Sequence, residues 1–260
     1  MTQSPLQTAD HGGVRVVTVH RPDKLNALNR ATLIALHDAF DAAADDDAVR
    51  VVVLTGSGAK AFVAGADIAE MADLTPAQAR DFSLLGQRMM RRVERMPKPV
   101  IAMVNGFALG GGLELAMCCH LRIAADSAKL GLPEVTLGLL PGFGGSQRLP
   151  RLVGRAAALE LCLTGAPVEA ARALALGLVN RVVPTAELEA ETMQLAEKLA
   201  QSAPLAMRAI LDAVHVGGEC ALDEGLEYES AQFGLVFSTD DAREGMQAFL
   251  ERRKPAFGNR

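Results

Sequence analysis

The sequence predicts an α/β fold that gives way to helices alone after about residue 200. Three observations carry that expectation. Short β-branched runs recur at residues 14–20, 51–54, 100–104 and 121–125, with a fifth at 179–183. Between them lie stretches whose apolar residues repeat at helical spacing. Beyond Ala186 strand-like runs cease, and helical patterning is broken only at Pro204, Gly217-Gly218 and Ser238-Thr239-Asp240. Several strands are too short for a doubly wound sheet; strand–strand–helix units recur about every fifty residues.

Each element has a local reason. Residues 14–20 form a strand that stops at Arg21-Pro22. From Arg30 to Asp46, Leu33, Leu36, Ala39, Phe40 and Ala43 fall on one helical face. Residues 51–54 are a wholly apolar strand ended by Thr55-Gly-Ser-Gly58, and residues 62–65 a short one turning at Gly65-Ala66-Asp67 into a helix. Pro76 to Met96 is a long amphipathic helix closed by Pro97-Lys-Pro99. Residues 100–104 are a buried strand, after which the glycines 110–112 open a helix carrying Glu114. The expected division is a core over 1–200 holding the active site and a helical segment over 201–260. The first dozen residues and the last few are polar enough to stay loose.

Composition narrows the function. Half the residues are hydrophobic, ample for a large core, and the net charge of −5 argues against a general nucleic-acid or membrane-surface binder. Cys118, Cys119, Cys162 and Cys220 lack C-x-x-C spacing, so reduced thiols are expected rather than disulfides or zinc. The N-terminal residues show no secretory signal. The longest apolar stretch, 99–113, is too short for a membrane span. A soluble cytoplasmic protein is expected. No G-x-G-x-x-G follows a strand, and neither a P-loop nor a G-x-S-x-G is present. The histidines are scattered and imply no metal; His120 reads as structural.

The chemistry lies in two glutamates set in glycine- or proline-framed turns. Glu114 ends Asn105-Gly-Phe-Ala-Leu-Gly-Gly-Gly-Leu-Glu114, and Glu134 sits in Gly131-Leu-Pro-Glu134, ahead of Leu140-Pro-Gly-Phe-Gly-Gly145. Two carboxylates held near each other can divide the proton transfers around one water. Three glycines at a helix start weaken the helix, and make sense where something must approach the backbone closely. The Gly111 N–H then faces an anion at the positive helix end. Phe62-Val-Ala-Gly-Ala-Asp-Ile68 offers a second set of N–H groups, or simply a turn capped by Asp67.

Together these segments resemble the enoyl-CoA hydratase, or crotonase, family over essentially the whole chain. Further matching motifs are Arg21-Pro-Asp-Lys-Leu-Asn-Ala-Leu28, Pro97 to Gly106, Pro141 to Leu149 and Glu244 to Lys254. The resemblance implies a spiral of strand–strand–helix turns, a C-terminal helical trimerisation domain and a homohexamer, a dimer of trimers. It implies hydration of trans-2-enoyl-CoA in fatty-acid β-oxidation, with no cofactor beyond the coenzyme A of the substrate. The N–H groups of Ala66 and Gly111 would hold the thioester oxygen. Glu114 would deprotonate the water, Glu134 would deliver a proton to the α-carbon, and Gly142 would lend its N–H to the water. Lys24, Ala27, Ala64, Asp67 and Ile68 would line the CoA and substrate path, and Phe82 and Leu85 the acyl end beside a flexible Gly86. Phe249 and Arg252 would act across a subunit interface. Where the family often has a lysine, this chain has Ala69, so Lys24 and Arg252 are expected to hold phosphate. A double-bond isomerase, a specialised acyl-CoA hydratase and a non-catalytic scaffold are the competing readings.

Overall fold

The computed structural model describes residues 4–259. The chain runs β1 (Leu6–His11), β2 (Val14–Val19), α1 (Arg30–Asp45), β3 (Val51–Gly56), β4 (Ala61–Val63), α2 (Ile68–Met71) and α3 (Pro76–Glu94). It continues with β5 (Val100–Val104), β6 (Phe107–Leu109), α4 (Gly111–Cys118), β7 (Leu121–Ala125), β8 (Lys129–Gly131), α5 (Gly145–Val153) and α6 (Arg155–Thr164). Then come β9 (Val168–Glu169), α7 (Ala170–Ala175), β10 (Arg181–Val183), α8 (Leu188–Ala200), α9 (Pro204–Gly217), α10 (Leu222–Phe237) and α11 (Asp240–Glu251).

Two sheets organise the first two hundred residues. The larger has the order β1-β2-β3-β5-β7-β10, parallel except for β1; the smaller has the order β4-β6-β8-β9. In the pairs β3–β4, β5–β6 and β7–β8 the first strand joins the larger sheet and the second the smaller, and a helix follows each pair. This is the spiral of strand–strand–helix turns. The turns begin at Val51, Val100 and Leu121, so the fifty-residue interval occurs once and then shrinks, because α4 has 8 residues where α3 has 19. β3 is buried along its whole length, as a central parallel strand should be. Helix α8 lies against β2, β3, β5 and β7.

Within the described residues both ends are more ordered than their polarity predicts, while residues 1–3 and 260, part of the segments expected to stay loose, lie outside the described residues. Residues 6–11 form an edge strand, pairing with β2 through a Gly12-Gly13 turn; its side chains face water, so it shows no apolar signal. At the other end the N–H groups of Gly258 and Asn259 donate to the two carboxylate oxygens of Asp241. His120 is structural as expected. Its Nδ1 accepts from the Val100 N–H, and burial pushes its pKa down to about 4.

The sheets meet the helices most tightly at Gly112. A Cβ there would lie 1.8 Å from the Val63 carbonyl oxygen on β4, so only glycine lets α4 dock. Gly112→Ala should therefore cost at least about 3 kcal/mol, the upper range for overpacking a rigid core. Gly217→Ala, where a Cβ meets nothing within 4 Å, should change little. Thermal unfolding checks the pair; equal melting temperatures would mean that α4 and β4 do not approach this closely.

Candidate active site

Helix α4 is buried along its length, and Glu114, 1% exposed, is its one charged residue. The helix begins at Gly110, whose φ of +51° and ψ of −126° are open to glycine alone. The Glu114 N–H donates to the Gly110 carbonyl, leaving the N–H groups of Gly111, Gly112 and Leu113 without an acceptor inside the helix. Gly111 also faces the turn after β4, where a Cβ on it would stand 3.5 Å from the Ala66 nitrogen. At that turn the Leu28 N–H donates to Gly65, and the Asp67 N–H donates to Leu28. Ala66 lies between those two bonds, and among the described residues its own N–H meets no acceptor. Two strand-to-helix turns thus bring free donors side by side.

A buried carboxylate in an apolar helix is costly unless it is hydrogen-bonded. Glu114 Oε1 accepts from the Phe143 N–H at 2.8 Å and the Gly145 N–H at 2.6 Å. Its Oε2 takes no hydrogen bond from the described residues. Burial pushes the Glu114 pKa up to about 7, against the pull of those two N–H groups, and the neighbouring Glu134 charge raises it further. Glu134 stands on a 3-10 turn over Pro133–Leu137. Burial raises its pKa too, and its Oε2 is buried with no partner. Glu114 is thus set to exchange protons near neutrality, and Glu134 is shifted in the same direction.

Both glutamates, with Ala66, Gly111 and Gly142, line one cavity of about 500 Å³. Its apolar side includes Phe82, in edge-to-face contact with Phe143 at 5.4 Å between ring centres. Among the described residues no group of His, Cys, Asp or Glu is placed to hold a metal ion.

The residues expected from the sequence fall into three groups. Glu114, Glu134, Ala64, Ala66, Ile68, Gly111, Phe82 and Gly142 all line the cavity. Leu85 does not; it packs against the hydrophobic core. Gly86 supplies room rather than flexibility, since a Cβ there would lie 2.2 Å from the Phe143 ring. Lys24, Ala27 and Asp67 do not line the cavity. Asp67 pairs with Arg21 at 2.8 Å, and Arg21 also donates to the Ala27 carbonyl, so Asp67 ties the 21–28 loop to the Ala66 turn. Its carboxyl gives α2 no side-chain cap. Phe249, 82% exposed, and Arg252, at the end of α11, do not line the cavity. The neighbouring Arg253 is paired with Glu244 and Glu251.

Sequence reasoning missed the residues that hold Glu114. The donors are Phe143 and Gly145, whereas the Gly142 carbonyl accepts from Ser83 Oγ at 2.6 Å and Gln87 Nε2 at 3.0 Å. The run Pro141 to Gly145 was the available signal, but it does not say which N–H turns inward.

Known proteins share this arrangement of chain. The family model described as "Enoyl-CoA hydratase/isomerase" matches residues 9–260. A crotonyl-CoA hydratase of Syntrophomonas wolfei is 51% identical over 93% of each chain. A short-chain-enoyl-CoA hydratase of Clostridium acetobutylicum is 48% identical over 96% of each. The crystal structure of an enoyl-CoA hydratase from Bacillus anthracis superposes with a TM-score of 0.96 at 41% identity, covering 98% of this chain and all of that one.

The Glu114 environment predicts a pH-dependent stability. The folded carboxyl holds its proton more tightly than the unfolded one, so the cost of its charge is absent below the ordinary 4.5 and complete only above about 7. Glu114→Gln keeps an oxygen for both N–H groups and carries no charge. Its stability advantage over wild type should grow from about pH 5 to about pH 8, approaching roughly 3 kcal/mol. Denaturant unfolding at the two pH values measures this; a constant difference would mean that Glu114 titrates normally.

Proposed function

We propose, because the chain belongs to the enoyl-CoA hydratase/isomerase family, that it adds water to trans-2-enoyl-CoA to give 3-hydroxyacyl-CoA. The observation that carries this is the pair of carboxyl groups, the buried Glu114 and the half-buried Glu134, facing one cavity beside the free N–H groups of Ala66 and Gly111. The relatives named crotonyl-CoA and short-chain-enoyl-CoA hydratase support the same reaction, a step of fatty-acid metabolism.

In the proposed reaction the Glu114 carboxylate takes a proton from water as the water oxygen bonds to the β-carbon. The double-bond electrons move toward the thioester, and the oxygen gains enolate charge. The Ala66 and Gly111 N–H groups donate to that oxygen, and one such fixed donor is typically worth ~2.7–4 kcal/mol of barrier. Glu134, whose carboxyl burial shifts toward the protonated form, gives its proton to the α-carbon. The pair ends with Glu114 protonated and Glu134 ionised, and proton exchange restores the starting state. A double-bond isomerase shuttles a proton from carbon to carbon and has less use for a second carboxyl beside the Pro141–Gly145 loop. The scheme uses only these groups, with coenzyme A as part of the substrate.

The proposal extends to a homohexamer, a dimer of trimers, in the cytoplasm. Exposed apolar side chains on α9 to α11, such as Ile210, Val214, Phe233 and Phe249, support a large subunit contact. In that assembly Phe249 and Arg252 would serve a neighbour's cavity, and Arg252 would hold a nucleotide phosphate that Ala69 cannot.

Loss of ultraviolet absorbance of crotonyl-CoA tests the activity directly, because hydration removes the conjugated double bond. Glu114→Gln and Glu134→Gln should each lose at least about 10²-fold in kcat, with the double variant little worse than either. More than about a tenth of wild-type hydration left in Glu114→Gln would remove it as the base. Arg252→Ala should raise KM for acyl-CoA and spare kcat, since it removes binding remote from the reacting carbons. An unchanged KM would take Arg252 out of the site.

A further inference from the structure

Helix α3 carries more than the acyl wall: it grips the Pro141–Gly145 loop at three levels. Ser83 and Gln87 bind the Gly142 carbonyl, the Phe143 ring sits on Gly86, and Glu94 binds the guanidinium of Arg148 through two bonds of 2.8 Å. From that paired position Arg148 Nη1 reaches back and donates to the Phe143 carbonyl at 3.1 Å. The peptide groups on either side of that carbonyl carry the N–H groups that hold Glu114 Oε1. Arg148 and Glu94 are both largely buried, at 17% and 24% side-chain exposure. A fork of this kind, bound at both carboxylate oxygens, fixes orientation as well as charge.

We infer that Arg148, anchored by Glu94, is a positioning residue for the Glu114 base: it aims the Phe143 and Gly145 N–H groups and sets the charge behind the carboxylate. This rests on the reading of Glu114 as the group that takes the proton from water. The two members of the pair then act on Glu114 in opposite senses. Arg148 favours the Glu114 carboxylate electrostatically, and Glu94 tempers that influence by neutralising the guanidinium. The other ionisable groups facing Glu114 are Glu134, Cys118 and Cys162, and burial raises both thiols, so they stay neutral at working pH. His215 and Arg95 act on Glu94 from outside the pair.

Rates of crotonyl-CoA hydration against pH, measured in a common His215→Gln background, test this. Arg148→Met should lower kcat about tenfold to a hundredfold through a misaimed loop, with KM changed less than about twofold. Its acidic limb of kcat/KM should move up by roughly one pH unit, because the carboxylate loses its cation. Glu94→Gln should move the same limb down. Arg148→Lys, which keeps the charge but not the fork, should lower kcat while leaving the limb in place. A merely structural pair would lower stability and activity without moving the limbs in opposite directions, and that result overturns the proposal. Should Arg148→Met not fold, the Glu94→Gln and Arg148→Lys profiles decide alone: a limb that stays put in Glu94→Gln, or shifts in Arg148→Lys, overturns it. If Glu114→Gln itself keeps wild-type hydration, the fault lies with the base assignment instead.

Discussion

The structure turns on one buried contact, the two backbone N–H groups that meet Glu114 Oε1. A carboxyl in the middle of an apolar helix would be neutral and inert without them, because an unpaired charge there is prohibitively costly. With both donors in place, burial still outweighs them, and the group rests at about 7. That balance explains why the loop supplying the donors is glycine-rich. Two N–H groups two positions apart in the chain must point at the same oxygen, and Gly144 between them adopts a φ of +109°. It also explains the number of contacts spent on keeping the loop still.

The N–H groups proposed to hold the oxyanion depend on a second close approach. Gly112 lets α4 come down on β4, and this proximity brings Gly111 beside the Ala66 nitrogen. The Ala66 turn is braced from the other direction by the 21–28 loop, through the Leu28 bonds and the Arg21–Asp67 pair. Asn26 locks that loop in turn: fully buried, it donates to the carbonyls of Ser57 and Ala61. The donors are therefore fixed by sheet pairing and packing, with no side chain needed at the oxyanion itself. Preorganised donors of this kind stabilise charge as it develops without reorganising.

What the sequence disclosed follows from the range of each interaction. Long periodic helices and wholly apolar strands such as β3 and β5 are local patterns and were readable. Of the smaller sheet only β4 was read, at residues 62–65; β6, β8 and β9 were not, since two or three residues carry no period, and β1 hid behind exposed polar side chains. The glutamates and the glycines 110–112 stood out because their chemistry conflicts with their local setting. Asp67 looked like a helix cap or a ligand because its partner, Arg21, lies 46 positions away. Glu94 and Arg148 are 54 positions apart and gave no local sign of each other. Leu85 and Phe82 are three apart on one helix, yet one packs into the core and the other lines the cavity.

The C-terminal helices pose the complementary problem. Neither α9 nor α10 contains a buried residue, although both are rich in apolar side chains. Their packing against each other is not enough to cover Phe233, Val214 or Phe237. A lone protomer would hold these faces in water at a cost of about 25 cal/mol for each Å² of apolar surface. Covering them by a neighbouring copy removes that cost and, in the proposed hexamer, carries Phe249 and Arg252 toward a cavity not their own. The core helices and loops already bring the proposed reacting groups to one cavity within a single chain. In the proposed hexamer, assembly would bear on the remote end of the substrate, where binding strength rather than proton transfer is at stake.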